Sequence, residues 1–125
     1  MNIGIIGSGG REHSICVSLL KSKEIKELFC FPGNGGTSEI ATNVTLDLTN
    51  FEEIKDFIFK KKIDLIIVGP EKPLVDGIVD YLEKYGIKVF GPNSDAAKLE
   101  GSKIFTKQIC KEYNIPTANF GIFKN

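Results

Sequence analysis

The chain has 125 residues, 42% of them hydrophobic and 26% charged, and its 16 Lys and Arg balance 16 Asp and Glu at a formal net charge of zero. That length supports one domain burying roughly two thirds of its unfolded surface. The charge balance argues against a general electrostatic grip on nucleic acid or an anionic membrane, and no apolar run approaches the ~20 residues of a membrane span.

Residues 2–6, "NIGII", form an apolar run ending before glycine, which predicts a strand buried on both faces. A helix should follow from about Arg11 to Lys21, with Ile15, Val17, Leu19 and Leu20 facing inward. "ELFCF" (27–31) reads as a second strand, stopped by "PGNGG", and "NVTL" (43–46) as a third. Asn50 then has the look of an N-cap, with Glu53 completing a capping box. Phe51, Ile54, Phe57 and Ile58 give that helix one apolar stripe, and "KKK" (60–62) ends it where cations favour the dipole. "DLIIV" (64–68) is the clearest strand and "GPEKP" breaks it. Leu74 to Tyr85 reads as one helix, with Gly86 beyond its end. "KVF" (88–90) is a fifth strand followed by "GPN". Ser94 should cap a short helix through Leu99, and Ser102 another over Lys103 to Tyr113, which "NIP" terminates.

Strands alternating with helices predict an α/β fold: an open, Rossmann-like parallel sheet of about five strands, flanked by helices and joined by right-handed crossovers. In such sheets ligands bind outside the carboxyl ends of the strands. "GSGG", "PGNGG", "GPE" and "GPN" all fall there and should line one rim. The three cysteines, Cys16, Cys30 and Cys110, have no zinc or redox spacing and read as reduced thiols. No basic segment precedes "NIGIIG", so no signal peptide is expected, and the cysteine usage suits the cytosol.

Behind the first strand stand the single arginine, Arg11, and the single histidine, His13. Gly7, Gly9 and Gly10 allow close backbone approach, and a helix N-terminus offers unpaired N–H groups to an anion. The dinucleotide fingerprint G-x-G-x-x-G is not met, because Glu12 occupies the third glycine position. The second strand ends in Phe31, Pro32, Gly33 and Asn34, with no acid to hold a ribose diol. No G-K-[ST] follows, so this is not a P-loop. The turn remains suited to one phosphate monoester. Glu12 is placed for sugar hydroxyls or an amine, and Arg11 for a phosphate or for Glu71 across the rim; a surface pair of no consequence is the plain alternative. His13, without a nucleophile or acid beside it, reads as a packing residue. In "VGPEKPLVDG" (68–77) two prolines stiffen the turn that carries Glu71, and Pro73 suits the start of the next helix.

In order along the chain, "IGSGGREH", "PGNGGT", "VGPEKPLVDGI", "FGPN" and "LEGSKIFTK" resemble the N-terminal region of the phosphoribosylamine–glycine ligases, also called glycinamide ribonucleotide synthetases. The resemblance covers essentially the whole chain, and five ordered blocks are far more specific than one. It implies an ATP-grasp ligase of purine biosynthesis. ATP phosphorylates the glycine carboxylate, the amine of 5-phosphoribosylamine attacks the acyl phosphate, and ADP, phosphate and glycinamide ribonucleotide leave, with magnesium neutralising phosphate charge. It further implies a pre-ATP-grasp domain over residues 1–100 that holds phosphoribosylamine, and the start of a shortened ATP-grasp domain over 101–125.

By the resemblance, Gly9, Gly10, Arg11 and Glu12 sit at the phosphoribosylamine pocket, beside Pro32, Gly33 and Asn34. Pro70 and Glu71 belong there too, with Glu71 toward the ribose hydroxyls or the amine, and Lys103 meets the ATP phosphates. The implied partners are phosphoribosylamine, glycine and ATP, with no nucleic acid or membrane, in the cytoplasm. The full-length enzyme is expected to be monomeric, and this chain to be inactive alone, without bound cofactor. Ile104, Phe105 and Ile109 should be partly exposed and open to self-association. No magnesium-binding carboxylate pair is visible, and Lys72 stands where the family usually has a small or apolar residue. A stand-alone sugar-phosphate- or nucleotide-binding module is the alternative reading.

Overall fold

The computed structural model describes residues 1–121. Five parallel strands form one sheet: β1 (Asn2–Gly7), β2 (Glu27–Pro32), β3 (Thr42–Asn43), β4 (Leu65–Val68) and β5 (Val89–Phe90), in the order β3-β2-β1-β4-β5. The order reverses about β1, which is the doubly wound arrangement of open α/β sheets. The predicted parallel α/β sheet flanked by helices is therefore the one observed.

Alternation along the strands sorts the core into two faces. Ile3 and Ile5, Leu28 and Cys30 point to the face covered by α1 (Gly10–Leu19). Ile6, Phe29, Phe31, Ile66 and Val68 point to the other. That second face is closed by α2 (Phe51–Lys61), α3 (Glu71–Val75) and α4 (Ile78–Glu83), whose Ile54, Ile58, Leu74, Ile78, Val79 and Leu82 are buried against it. Phe57 packs edge-on to Phe29 and Phe31, with ring centroids 5.7 and 5.5 Å away. Gly4 is glycine because a Cβ there would lie 2.6 Å from Ile66 and 2.7 Å from Phe31. On α1 the inward residue is Cys16, with Ile15 and Leu19 half-buried beside it, whereas Val17 and Leu20 are exposed, contrary to the sequence expectation. Cys16 and Cys30 face each other across this layer, Sγ to Sγ 3.4 Å. Burial pushes both thiols up, Cys30 to about 12, so they stay protonated.

Four element boundaries depart from expectation. The helix expected over 74–85 is two helices, broken at Gly77, whose φ of 92° leaves helical geometry. The short helix α5 (Ser94–Gly101) is capped by Asn93, which accepts from the Ala96 N–H, rather than by Ser94. The third strand is Thr42–Asn43 only. Val44, Leu46 and Leu48 continue the alternation and pack on the core, but only Val44 finds a backbone partner there, the Cys30 carbonyl at 2.8 Å. Asn50 caps α2 through the Glu53 N–H, while its own N–H goes to the Asp47 carbonyl, so no reciprocal box forms. Ser102 caps α6 (Lys103–Glu112) as expected. That helix packs on α5 and buries none of its residues: Ile104 is exposed, and Phe105 and Ile109 are half-buried. Of the segment 101–125, residues 122–125 lie outside the described residues.

Candidate functional site

β1 runs into α1 through Gly7, Ser8 and Gly9. Gly7 has φ of 132°, which favours glycine, and Gly9 is the extended N-cap. Glycine has no side chain to cap with, so the first amides of α1, those of Gly10, Arg11 and Glu12, keep no intrahelical partner. The helix dipole adds positive potential at the same point.

Glu12 turns inward. It is only 5% exposed, and its Oε2 accepts a hydrogen bond of 2.6 Å from the Gly9 N–H. Three glycines make its slot. A Cβ on Gly7 would come within 2.6 Å of the Glu12 carboxyl carbon, one on Gly9 within 2.9 Å of Oε2, and one on Gly69 would overlap Oε1. Arg11 reaches over the same gap, donating from Nη1 to the Gly69 carbonyl at 2.7 Å. It makes no ion pair with Glu71 among the described residues. Arg11 thus ties the β1–α1 and β4–α3 loops, and Glu12 fills the space between them.

The loop after β2 lies against the same turn. Pro32 ends the strand after a cis peptide, and Gly33 has φ of 77°. The Asn34 side chain donates to the Ser8 carbonyl at 2.8 Å and to the Gly9 carbonyl at 3.2 Å. Its Oδ1 accepts from the Thr37 N–H. Thr37, fully buried, accepts from the Asn34 N–H and bonds to Asn43, whose amide donates back to the Asn34 carbonyl. His13 packs on Gly36, as a packing residue would.

Between the β1–α1 and β4–α3 loops is a cavity of about 590 Å³, lined by residues 7–12 and 69–73 with Leu48, Thr49 and Asp76. Gly9, Gly10, Arg11, Glu12, Pro70 and Glu71 are therefore brought together. Asn34 joins through the Ser8–Gly9 turn, whereas Pro32 and Gly33 stay behind it. Lys103 opens α6 and is not in the cavity wall. Lys72 lines the cavity, paired with Asp76 at 2.6 Å in an exposed i,i+4 contact of the kind that adds little. The fourth rim loop serves structure: Gly91 fits against Leu74, Val79 and Val68, and Asn93 caps α5. Leu48 and Thr49 were not foreseen as lining residues. The alternation of Leu46 and Leu48 is the only signal that extended chain crosses there.

The cavity thus sets hydrogen-bond donors, the α1 amides and Arg11, on one side and an acceptor, Glu71, on the other. Among the described residues no group of three or more His, Cys, Asp or Glu could hold a metal ion. No described helix is long and apolar enough to cross a membrane.

Known proteins resemble this chain over most of its length. A family profile described as "Phosphoribosylglycinamide synthetase, N domain" matches residues 1–100. The chain is 49% identical over 125 residues to a phosphoribosylamine–glycine ligase of Mesorhizobium japonicum, covering 100% of this chain and 29% of that protein. It is 46% identical over 123 residues to the ligase of the same name from Caldanaerobacter subterraneus subsp. tengcongensis, covering 98% of this chain and 30% of that protein. The crystal structure of the Thermotoga maritima phosphoribosylamine–glycine ligase superposes with a TM-score of 0.66 at 31% identity, over 95% of this chain and 26% of that one. The chain thus spans under a third of the length of these relatives.

Proposed function

The chain belongs to the family of the phosphoribosylglycinamide synthetase N domain, and from that premise we propose that it is the substrate-holding part of an ATP-dependent carbon–nitrogen ligase of purine biosynthesis. The whole enzyme joins glycine to 5-phosphoribosylamine, forming glycinamide ribonucleotide, ADP and phosphate. The observation that carries this reading is the convergence of unpaired α1 amides, Arg11 and Glu71 on one cavity.

In this reading the 5-phosphate sits on the Gly10 and Arg11 amides, where the dipole and the guanidinium stabilise it. Arg11 gives one donor to Gly69 and has the rest of its fork for the anion. Glu71 accepts from the pentose hydroxyls or the amine across the cavity. Glu12 and Pro70 line this pocket, and Asn34, carried on the Pro32–Gly33 turn, supports it from behind through the Ser8 and Gly9 carbonyls. Holding the sugar phosphate by its inert end leaves the amine free to attack an activated glycine carboxylate, which converts a bimolecular encounter into an oriented one.

Residues 1–100 are proposed as this domain and 101–125 as the beginning of an ATP-grasp part, in which Lys103 meets the ATP phosphates. Magnesium would neutralise phosphate charge in the whole enzyme; among the described residues no group of three or more His, Cys, Asp or Glu gathers to hold it, and no step is routed through it. A cytosolic, monomeric whole enzyme completes the proposal.

Thermal denaturation with ribose 5-phosphate tests the reading. Ligand at 100 times its dissociation constant should add about 2.7 kcal/mol of stability. Stabilisation by NAD and none by the sugar phosphate would overturn it.

A further inference from the structure

We propose that Glu12 and Asn34 are positioning residues that clamp the Ser8–Gly9 peptide from both sides, and that phosphate affinity depends on this clamp rather than on either side chain touching the ligand. The inference rests on the reading of the cavity as a sugar-phosphate site.

The N–H of this peptide donates to Glu12 Oε2 at 2.6 Å, and its carbonyl accepts from the Asn34 amide at 2.8 Å. A peptide is planar, so bonds at both ends fix its rotation. The peptide stands one residue before the Gly10 and Arg11 amides, so its orientation sets theirs. Neither clamping side chain is free for a ligand. Glu12 is nearly fully buried in its glycine slot. Asn34 spends both amide protons on Ser8 and Gly9 and its oxygen on Thr37. Asn34 is itself held, through Thr37 and Asn43, to the end of β3, where Asn43 pairs with Cys30 of β2. The register of the sheet edge is thereby transmitted to the phosphate-facing amides.

A buried carboxylate beside an anion site raises a question of sign. Electrostatics alone predicts that removing the Glu12 charge tightens phosphate binding. The clamp predicts that removing the Glu12 acceptor weakens it. Glu12→Ala removes charge and acceptor together. Glu12→Gln removes the charge but keeps an oxygen for the Gly9 N–H.

The test is titration of the chain with inorganic phosphate and with ribose 5-phosphate, followed by 15N–1H shifts. Glu12→Ala and Asn34→Ala should each weaken both ligands by the same factor, about tenfold. Glu12→Gln should restore native affinity or exceed it. Ile58→Val, a core change remote from the cavity, should lower the melting temperature without moving either dissociation constant. Tighter phosphate binding by Glu12→Ala would overturn the clamp. So would a loss confined to ribose 5-phosphate, which would make Glu12 a direct sugar contact. If the unsubstituted chain binds neither ligand, the reading of the cavity falls and the clamp's role falls with it. Should Glu12→Ala fail to fold, Asn34→Ala and Glu12→Gln decide the matter, because equal effects from all folded variants would also overturn it.

Discussion

The carboxylate of Glu12 occupies the space that a side chain on Gly69 would need, although the two residues lie 57 positions apart: a Cβ on Gly69 would meet Oε1 and lie 2.7 Å from the carboxyl carbon. Glu12 thus explains a glycine at the end of β4, and the pair should be energetically coupled. Gly69→Ala is expected to cost about 1–3 kcal/mol, as overpacking of a tight interior does. In a Glu12→Ala background the same change should cost less than about 0.5 kcal/mol, since the space is then vacant. Urea unfolding of the four variants measures the cycle. Strict additivity would show that the clash is relieved elsewhere.

Thr37 is the buried hydroxyl on which the β2 loop is built. It accepts from the Asn34 N–H at 2.7 Å and bonds to Asn43 Oδ1 at 2.7 Å. Thr37→Val keeps the shape and orphans both groups, for an expected loss of about 1–3 kcal/mol. Thr37→Ser keeps the hydroxyl and gives up one methyl, about 0.8 kcal/mol by area. Chemical denaturation should therefore rank Val well below Ser. The reverse order would assign the site to methyl packing.

Asp80 ties α4 to the α5 entry, accepting from the Ser94 N–H at 2.8 Å. Hydrogen bonds from Ser94 hold its carboxyl below the usual carboxylate range. A carboxylate depressed in the native state binds its proton more readily when unfolded, so its contribution is present above about pH 4 and is lost as pH falls through the lower native value. Asp80→Asn should accordingly be less stable than the native chain at pH 5–7, with the gap closing toward pH 2. Thermal midpoints across that range check it. A gap unchanged at pH 2 would mean that charge plays no part.

How far the sequence carried depends on which interaction decides each feature. β1, β2, β4 and α2 rest on burial, and burial leaves a period that can be counted. Leu74 to Tyr85 keeps an unbroken helical period too, yet Gly77 breaks it by backbone conformation, which hydrophobic spacing does not register. Asn93 rather than Ser94 caps α5 for a similar reason: both residue types cap well, and only the φ/ψ of the turn chooses. At the cavity, the glycine turn and Glu71 were legible from loop chemistry. The inward turn of Glu12 was not, because its slot is assembled from Gly7, Gly9 and Gly69 across two loops. The engagement of Asn34 was hidden likewise, since its partners lie in a different βα loop.

Glu71 offers the sharpest contrast with Glu12. It is the first residue of α3, exposed, in the wall of the cavity, and without an ion-pair partner among the described residues. A carboxylate so placed is proposed to meet the pentose and not the phosphate. Glu71→Gln should therefore weaken ribose 5-phosphate by about tenfold or more, the worth of a hydrogen bond to a charged group. Inorganic phosphate should bind as well as before or slightly better, because a like charge at the rim has gone. The ratio of the two dissociation constants is the readout, and it cancels any general change in the fold. If Glu71→Gln weakens both ligands equally, Glu71 shapes the loop instead of reading the sugar, and pentose recognition has to be sought at Thr49 or Asp76 on the same wall.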